Sequence, residues 1–250
     1  MDELIRAGGG DYERYEMLVM ERDRLEKEAI QIECAWLREF GQLMTDLFEE
    51  KIECIKVRKM IAFYQAAVNR GEQPDQEEMI AYLQQELAEY YANLHDMLKR
   101  NEAARKGRVI TEYEEKRIRA LYRWIAKRLH PDTHPGVEDD PDLLLLWDMA
   151  SAAYQMSDLK RLMDVEMLVQ KALAESGGGP AEIEVPDIAL RIEELEEEIR
   201  QIRTTEPYIW GEILEDEEAC AAKKTALEKE LNEYREYRAQ LEEVLAGLMR

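Results

Sequence analysis

Apolar and aromatic side chains recur along this chain at steps of three and four. Tyr15, Leu18, Leu25, Ala29, Ile32 and Trp36, then Leu43 and Leu47, form such a series, with Arg22 interrupting it. That spacing keeps side chains on one helix face, so it predicts a helix with a heptad seam, opened by Asp11 as a cap. Gly41 is a point where this helix bends or ends, and a second series follows through Ile52, Ile55, Met60, Tyr64 and Ala67. Asn69-Arg70-Gly71 is a stop signal, and Pro74-Asp75 opens the next helix. That helix is expected to run to about Arg100, with Ile80, Leu83, Leu87, Tyr90, Tyr91, Leu94 and Leu98 inward, before a polar break from Asn101 to Gly107.

Thr111, with Glu114 three residues on, has the form of a capping box, and the helix it starts should end near Leu129. Pro131, Pro135 and Gly136 enforce a loop; Asp140 then caps a helix with Pro141 at its first position. This helix carries Leu143 to Tyr154, and a further helical stretch ends before Ser176-Gly177-Gly178-Gly179-Pro180. The Gly-rich run reads as a linker, since it lacks the preceding strand and the lysine of a phosphate loop. Beyond it, Ile188, Ile192, Leu195, Ile199 and Ile202 keep a seam that Glu206-Pro207 breaks. Leu227, Leu231, Tyr234, Leu241, Leu245 and Leu248 resume it, with Arg238 interrupting. No stretch alternates cleanly with β-branched content, so the expected fold class is all-α, with long helices and coiled-coil hairpins. The expected organisation is a tail at 1–10, a coiled-coil segment at 11–75 and a central region at 76–175 with an antiparallel hairpin at 111–156. A linker at 176–186 and a helical hairpin or coiled coil at 187–250 complete it.

Composition fits that reading and narrows the function. Of 250 residues, 46% are apolar and 36% charged, with few Phe, Gly and Pro, a mixture typical of long helices. The formal net charge of −22 argues against nucleic-acid binding, which needs a positive surface. Cys34, Cys54 and Cys220 lie far apart with no CxxC, so neither a disulfide framework nor a zinc site is expected, and a reducing compartment fits best. No run approaches the roughly 18 apolar residues of a membrane span, and Met1 to Gly10 has no apolar stretch of an export signal, so a cytoplasmic location is expected.

One segment departs from the acidic background. On a helix turning about 100° per residue, Leu121, Tyr122, Ile125 and Leu129 cluster with Ile118 on one face. Lys116, Arg119, Arg123 and Lys127 fall on the other half, flanked by Arg117 and Arg128, with no acidic residue among them. Such a face suits an acidic partner; equally, it can pair with the chain's own acidic helices. It runs into His130-Pro131-Asp132 and Thr133-His134-Pro135, after which Trp147, Ala150, Ala153 and Tyr154 give a second apolar stripe. Two antiparallel helices packed through these stripes are expected to hold the loop exposed at their tip, where His, Pro and Asp can touch a partner.

This segment resembles the J-domain (DnaJ) family of co-chaperones. Tyr122-Arg123, Ile125-Ala126, Arg128 and His130-Pro131-Asp132 match the family's second helix and signature tripeptide; Trp147, Ala150 and Ala153-Tyr154 fit its third helix, and Ser157-Asp158-Leu159-Lys160-Arg161 the turn and basic patch that follow. The match spans residues 111–167. Thr133 and Trp124 stand at commonly basic positions, no Gly/Phe-rich segment or zinc module follows, and the helix ending near Arg100 would have to serve as the first helix.

The resemblance implies a docking protein that stimulates ATP hydrolysis by a seventy-kilodalton heat-shock chaperone and is not itself an enzyme. No cofactor, metal or catalytic residue is expected. The partner-binding set it implies is Arg119, Tyr122, Arg123, Lys127, His130, Pro131 and Asp132. In that set Arg119, Arg123 and Lys127 dock on an acidic surface, Asp132 bonds a partner arginine, Pro131 stiffens the loop and His130 fills a shaped contact. The coiled coils would select a client or adaptor, and their seams can pair within one chain or between two, a homodimer being favoured. The alternative is a coiled-coil scaffold whose hairpin is structural only. A metal site at His130 and His134 is disfavoured because the prolines remove helical i,i+4 geometry, and His95 has neither Glu nor Asp three residues before it.

Overall fold

The computed structural model of the chain describes residues 9–106, 111–175 and 187–249. The expected linker at 176–186, and the expected tail up to residue 8, lie outside them. The helices are α1 (Gly9–Arg70), α2 (Gln76–Lys106), α3 (Glu112–Leu129), α4 (Pro141–Gln155), α5 (Leu159–Glu175), α6 (Ile188–Thr204), α7 (Trp210–Glu215) and α8 (Glu217–Leu248), with a 3-10 turn at Pro135–Val137. The fold is all-α: no strand occurs among the described residues. No helix among them is long and apolar enough to cross a membrane.

The sequence punctuation forms the expected caps. In the capping box at the start of α3, the Glu114 N–H donates to Thr111 Oγ1 at 3.2 Å, and the Thr111 N–H donates to Glu114 Oε2 at 3.0 Å. The Asp140 carboxylate accepts from the N–H groups of Asp142 and Leu143, with Pro141 at the first position of α4. Gly71 closes α1 at φ +71°, a left-handed conformation that glycine adopts without steric cost. Asp11 is not a cap; it stands inside the first turn of α1.

The chain forms two compact units that interleave along the sequence. Among the described residues, one comprises 9–32, 111–175 and 187–209, the other 33–106 and 210–249. This replaces the expected run of consecutive segments. The cause is that α1 is one unbroken helix whose residues serve both units, while α6 and α8 fall in different units and make no C-terminal hairpin domain.

In the first unit, α3, α4 and α5 share one apolar core, built from Ile118, Leu121, Ile125, Ala150, Leu162 and Val165 among others. Helices α3 and α4 run antiparallel: His130 meets Trp147, centroids 4.4 Å apart, while the earlier Tyr122 stacks on the later Tyr154 at 3.8 Å and 8°. The hairpin therefore forms as its two stripes require. Ile188, Ile192 and Leu195 of α6 pack on Tyr15 and Val19 of α1.

In the second unit, Trp36, Phe40 and Leu47 of α1 pack on Leu227 and Leu231 of α8, and Trp210 of the unforeseen α7 stacks on Trp36 at 4.9 Å. Arg238, which interrupts the α8 seam, bonds Glu50 at 2.5 Å. Two expectations fail here. Gly41 does not end α1, and α2 does not stop near Arg100 but continues to Lys106 with Asn101 and Ala104 buried. Both follow from one contact: the Asn101 side chain lies where a Cβ on residue 41 would stand, and its amide donates to Gly41 O at 2.8 Å and to Thr45 Oγ1 at 2.7 Å. Of the residues expected inward on α2, Leu83, Leu87 and Leu94 are buried, whereas Ile80, Tyr90, Tyr91 and Leu98 are exposed.

Candidate functional site

The loop after α3 is fixed by its own backbone. Pro131 disfavours helical geometry in the residue before it, and His130 is extended at φ −65°, ψ 120°. The N–H groups of Thr133 and His134 donate back to His130 O at 3.1 and 2.7 Å, and Thr133 Oγ1 joins them at 3.2 Å. His134 Nε2–H donates to Lys127 O at 2.7 Å, and burial holds that imidazole's pKa below its ordinary value.

Of the tripeptide, Pro131 and Asp132 are partly exposed and His130 is buried. His130 is 3% exposed, which overturns the expectation of an exposed tip and of an imidazole unsuited to a core. The cause is that Trp147 of α4 packs on the imidazole and Tyr12, Tyr15, Arg22 and Asp23 of α1, in the same unit, bond the loop. His130 Nδ1 accepts from the Asp132 N–H at 3.2 Å, so Nε2 carries the proton and faces Asp23 Oδ2 at 3.2 Å. Asp23, 8% exposed, also accepts from the Tyr122 hydroxyl at 2.6 Å and from Arg22 Nη2 at 2.9 Å. Arg22 Nη1 donates to Asp132 Oδ2 at 2.9 Å, and Glu198 of α6 stands 3.8 Å from it. The hydroxyls of Tyr12 and Tyr15 donate to the carbonyls of Thr133 and Asp132, both at 3.1 Å. Arg22, Asp23, His130, Asp132 and Tyr122 thus form one connected polar network.

The network sets the charges. Burial pushes the Asp23 carboxyl up, but the hydrogen bond from His130, the Arg22 guanidinium and the Tyr122 hydroxyl outweigh it and hold the carboxyl below its ordinary range. Burial would lower Arg22, yet Asp23 and Asp132 raise it further. Tyr122 is raised by burial and by its charged acceptor, Asp23. Lys27, 3% exposed, has no hydrogen-bond partner for its Nζ, which sits 4.1 Å from the centroid of the Tyr154 ring. Burial brings its pKa down to about 8, against a partial lift from Glu115. A cleft of about 290 Å³ opens beside the network between Arg22, Glu26, Asp132, Trp147, Ser151 and Gln155.

The basic face of α3 stands in solvent: Lys116, Arg119, Arg123 and Lys127 are all exposed. Lys116 and Arg119 bond Glu112 and Glu115 one turn back, at 2.6 and 2.5 Å, and Lys127 bonds Glu16 of α1 at 3.0 Å. Arg123 has no such partner among the described residues. Trp124 is partly buried against the hairpin core, and Arg128 lies over its ring at 4.2 Å.

The structure brings Tyr122, His130 and Asp132 together and leaves Arg119, Arg123 and Lys127 on a separate exposed face. Sequence reasoning missed Tyr12, Tyr15, Asp23 and Lys27, and treated Arg22 as a mere interruption. It also assigned the helix beside the hairpin to the one ending near Arg100, whereas α1 holds that place and α2 belongs to the other unit. No group of three or more His, Cys, Asp or Glu side chains among the described residues could hold a metal ion. Compared with protein-family models, curated proteins and solved structures, the chain matches none.

Proposed function

We propose that the chain is a J-domain-like co-chaperone that docks on a seventy-kilodalton heat-shock chaperone and stimulates its ATP hydrolysis. The observation that carries this reading is the α3–α4 hairpin: an exposed basic helix face leads directly into His130-Pro131-Asp132 at the turn. The Asp132 carboxylate already holds a guanidinium, that of Arg22 at 2.9 Å, which is the bond the reading assigns to a partner arginine. Arg119, Arg123 and Lys127 steer and dock the face on an acidic surface, Tyr122 and Pro131 hold the loop in shape, and His130 and Asp132 make the decisive contacts. The test is single-turnover ATP hydrolysis by the chaperone with wild-type chain and with His130→Gln. Acceleration that needs His130 is expected; equal acceleration by the variant overturns the reading.

A second reading is a helical scaffold or adaptor in which the tripeptide is purely internal. It is favoured by the burial of His130 against Trp147 and Asp23. Under it, the chain binds another protein through the long helices, with unchanged affinity after Arg123→Glu, and leaves the chaperone's ATPase rate untouched.

A further inference from the structure

We propose that residues 12–23 of α1 are an autoinhibitory segment that occupies the tripeptide in place of the partner. The proposal rests on the co-chaperone reading and adds its regulation. Three observations carry it. First, α1 takes each polar valence a partner would use: Arg22 binds the Asp132 carboxylate, Asp23 faces the imidazole, and Tyr12 and Tyr15 bind the loop carbonyls. Second, the hairpin does not depend on α1 for its apolar core. That core comes from α3, α4, α5 and the loop's Val137, and among the described residues α1 adds only the partly buried Met20 to it.

Third, the contact is charged where the hairpin's own core is apolar. Asp23 and Lys27 are both drawn out of water on α1, and Lys27 gains no hydrogen bond in return. Desolvated ion pairs add little net stability, although they select one geometry, so such a contact suits a segment that must be displaced. A hydrophobic helix would instead hold α1 down permanently. In the closed state the chaperone competes with Arg22 for Asp132, and only the fraction of chains with α1 lifted can dock.

The test compares wild type, Arg22→Ala, Arg22→Ala/Asp23→Ala, and the double variant carrying His130→Gln, all as full-length chains with helix content checked by circular dichroism. Two quantities are read: stimulation of single-turnover ATP hydrolysis by a chaperone, and modification of His130 by diethylpyrocarbonate, mapped by mass spectrometry. Weak stimulation by wild type, a rise of roughly tenfold or more on opening α1, and loss of that rise with His130→Gln are expected, with His130 reactivity rising in parallel. Equal stimulation by wild type and opened chain overturns the autoinhibition and leaves the co-chaperone reading standing. An opened chain with reactive His130 that stimulates nothing overturns both. Unchanged protection of His130 in the double variant shows that this network does not hold α1 in place, and overturns the autoinhibition alone.

Discussion

At the residue scale, the polar network beside His130 contains two groups whose charge depends on the fold in opposite ways. Lys27 is neutralised more easily folded than unfolded, since burial brings it down to about 8. Between that value and its ordinary pKa the unfolded chain binds the extra proton, so Lys27 makes stability rise with pH across this window. A shift of that size corresponds to roughly 3 kcal/mol. Lys27→Met keeps the packing against Tyr154, removes the buried charge and gives up a cation–π contact of about 1 kcal/mol. The variant is expected to be more stable than wild type at pH 7, with the advantage shrinking by pH 10 in urea titrations; a less stable variant at pH 7 would mean the ammonium is worth more than its desolvation costs. In Asp23 the fold favours the charged form instead of the neutral one, and stability again rises with pH, in the acid range. Its folded pKa lies below the ordinary value, so its contribution is complete above that ordinary value and is lost as pH falls through the depressed one. Asp23→Asn should destabilise the chain at pH 7 by about 1–3 kcal/mol and flatten the acid limb of stability against pH below about 4. A variant that loses stability with acid as steeply as wild type would place that limb elsewhere.

The same residues mark how far the sequence could be read. Arg22 and Arg238 were both visible as charges inside apolar seams, and each turns out to bond a carboxylate, at Asp132 and Glu50. A guanidinium at a seam position must find an acid, and that rule points to a partner without naming it. Asp23 and Lys27 gave no signal, because each stands among charges on a helix where solvent is the default surrounding. Their burial depends on which helix lies across them, a tertiary fact that spacing along one helix cannot supply.

At the element scale, capping residues were readable because their bonds are local: Thr111 with Glu114, and Asp140 with Pro141, act within one turn. Gly41 misled for the converse reason. Its role is a close approach, 60 residues distant in sequence, in which the buried Asn101 amide takes the space of a Cβ and bonds Gly41 O. A Cβ there would stand 2.4 Å from Asn101 Oδ1, so the amide must move and lose its bonds. Alanine restores about 1 kcal/mol of helix propensity, but overpacking and broken bonds cost more, and Gly41→Ala should lose about 1–3 kcal/mol net. In a double-mutant cycle with Asn101→Ala, the two changes should be strongly non-additive, the double variant recovering stability over Gly41→Ala alone. Additive losses in chemical denaturation would show that the two side chains do not share the space. The exposed Tyr90, Tyr91 and Leu98 illustrate the same limit, since α2 buries a narrower stripe than its apolar content suggests.

At the scale of the whole molecule, a chain of net charge −22 repels an acidic partner at long range. The exposed basic face of α3 departs from that acidic background, and Arg123, free of ion pairs among the described residues, is its least committed charge. Lys116, Arg119 and Lys127 are each paired with a nearby glutamate, which weakens their reach. Under the co-chaperone reading, this asymmetry selects the docking orientation before any contact forms. Added salt screens the long-range repulsion as well as the local attraction, over a length of about 8 Å near physiological ionic strength. The local attraction acts at contact and the repulsion at distance, so the two separate in kinetics. Arg123→Glu should slow association with the chaperone by roughly tenfold at low salt while changing dissociation little, and the deficit should narrow as salt rises. Stopped-flow association of the opened Arg22→Ala chain, with and without Arg123→Glu, measures this directly. An association rate indifferent to residue 123 would move the docking surface off α3, even if His130 proves essential.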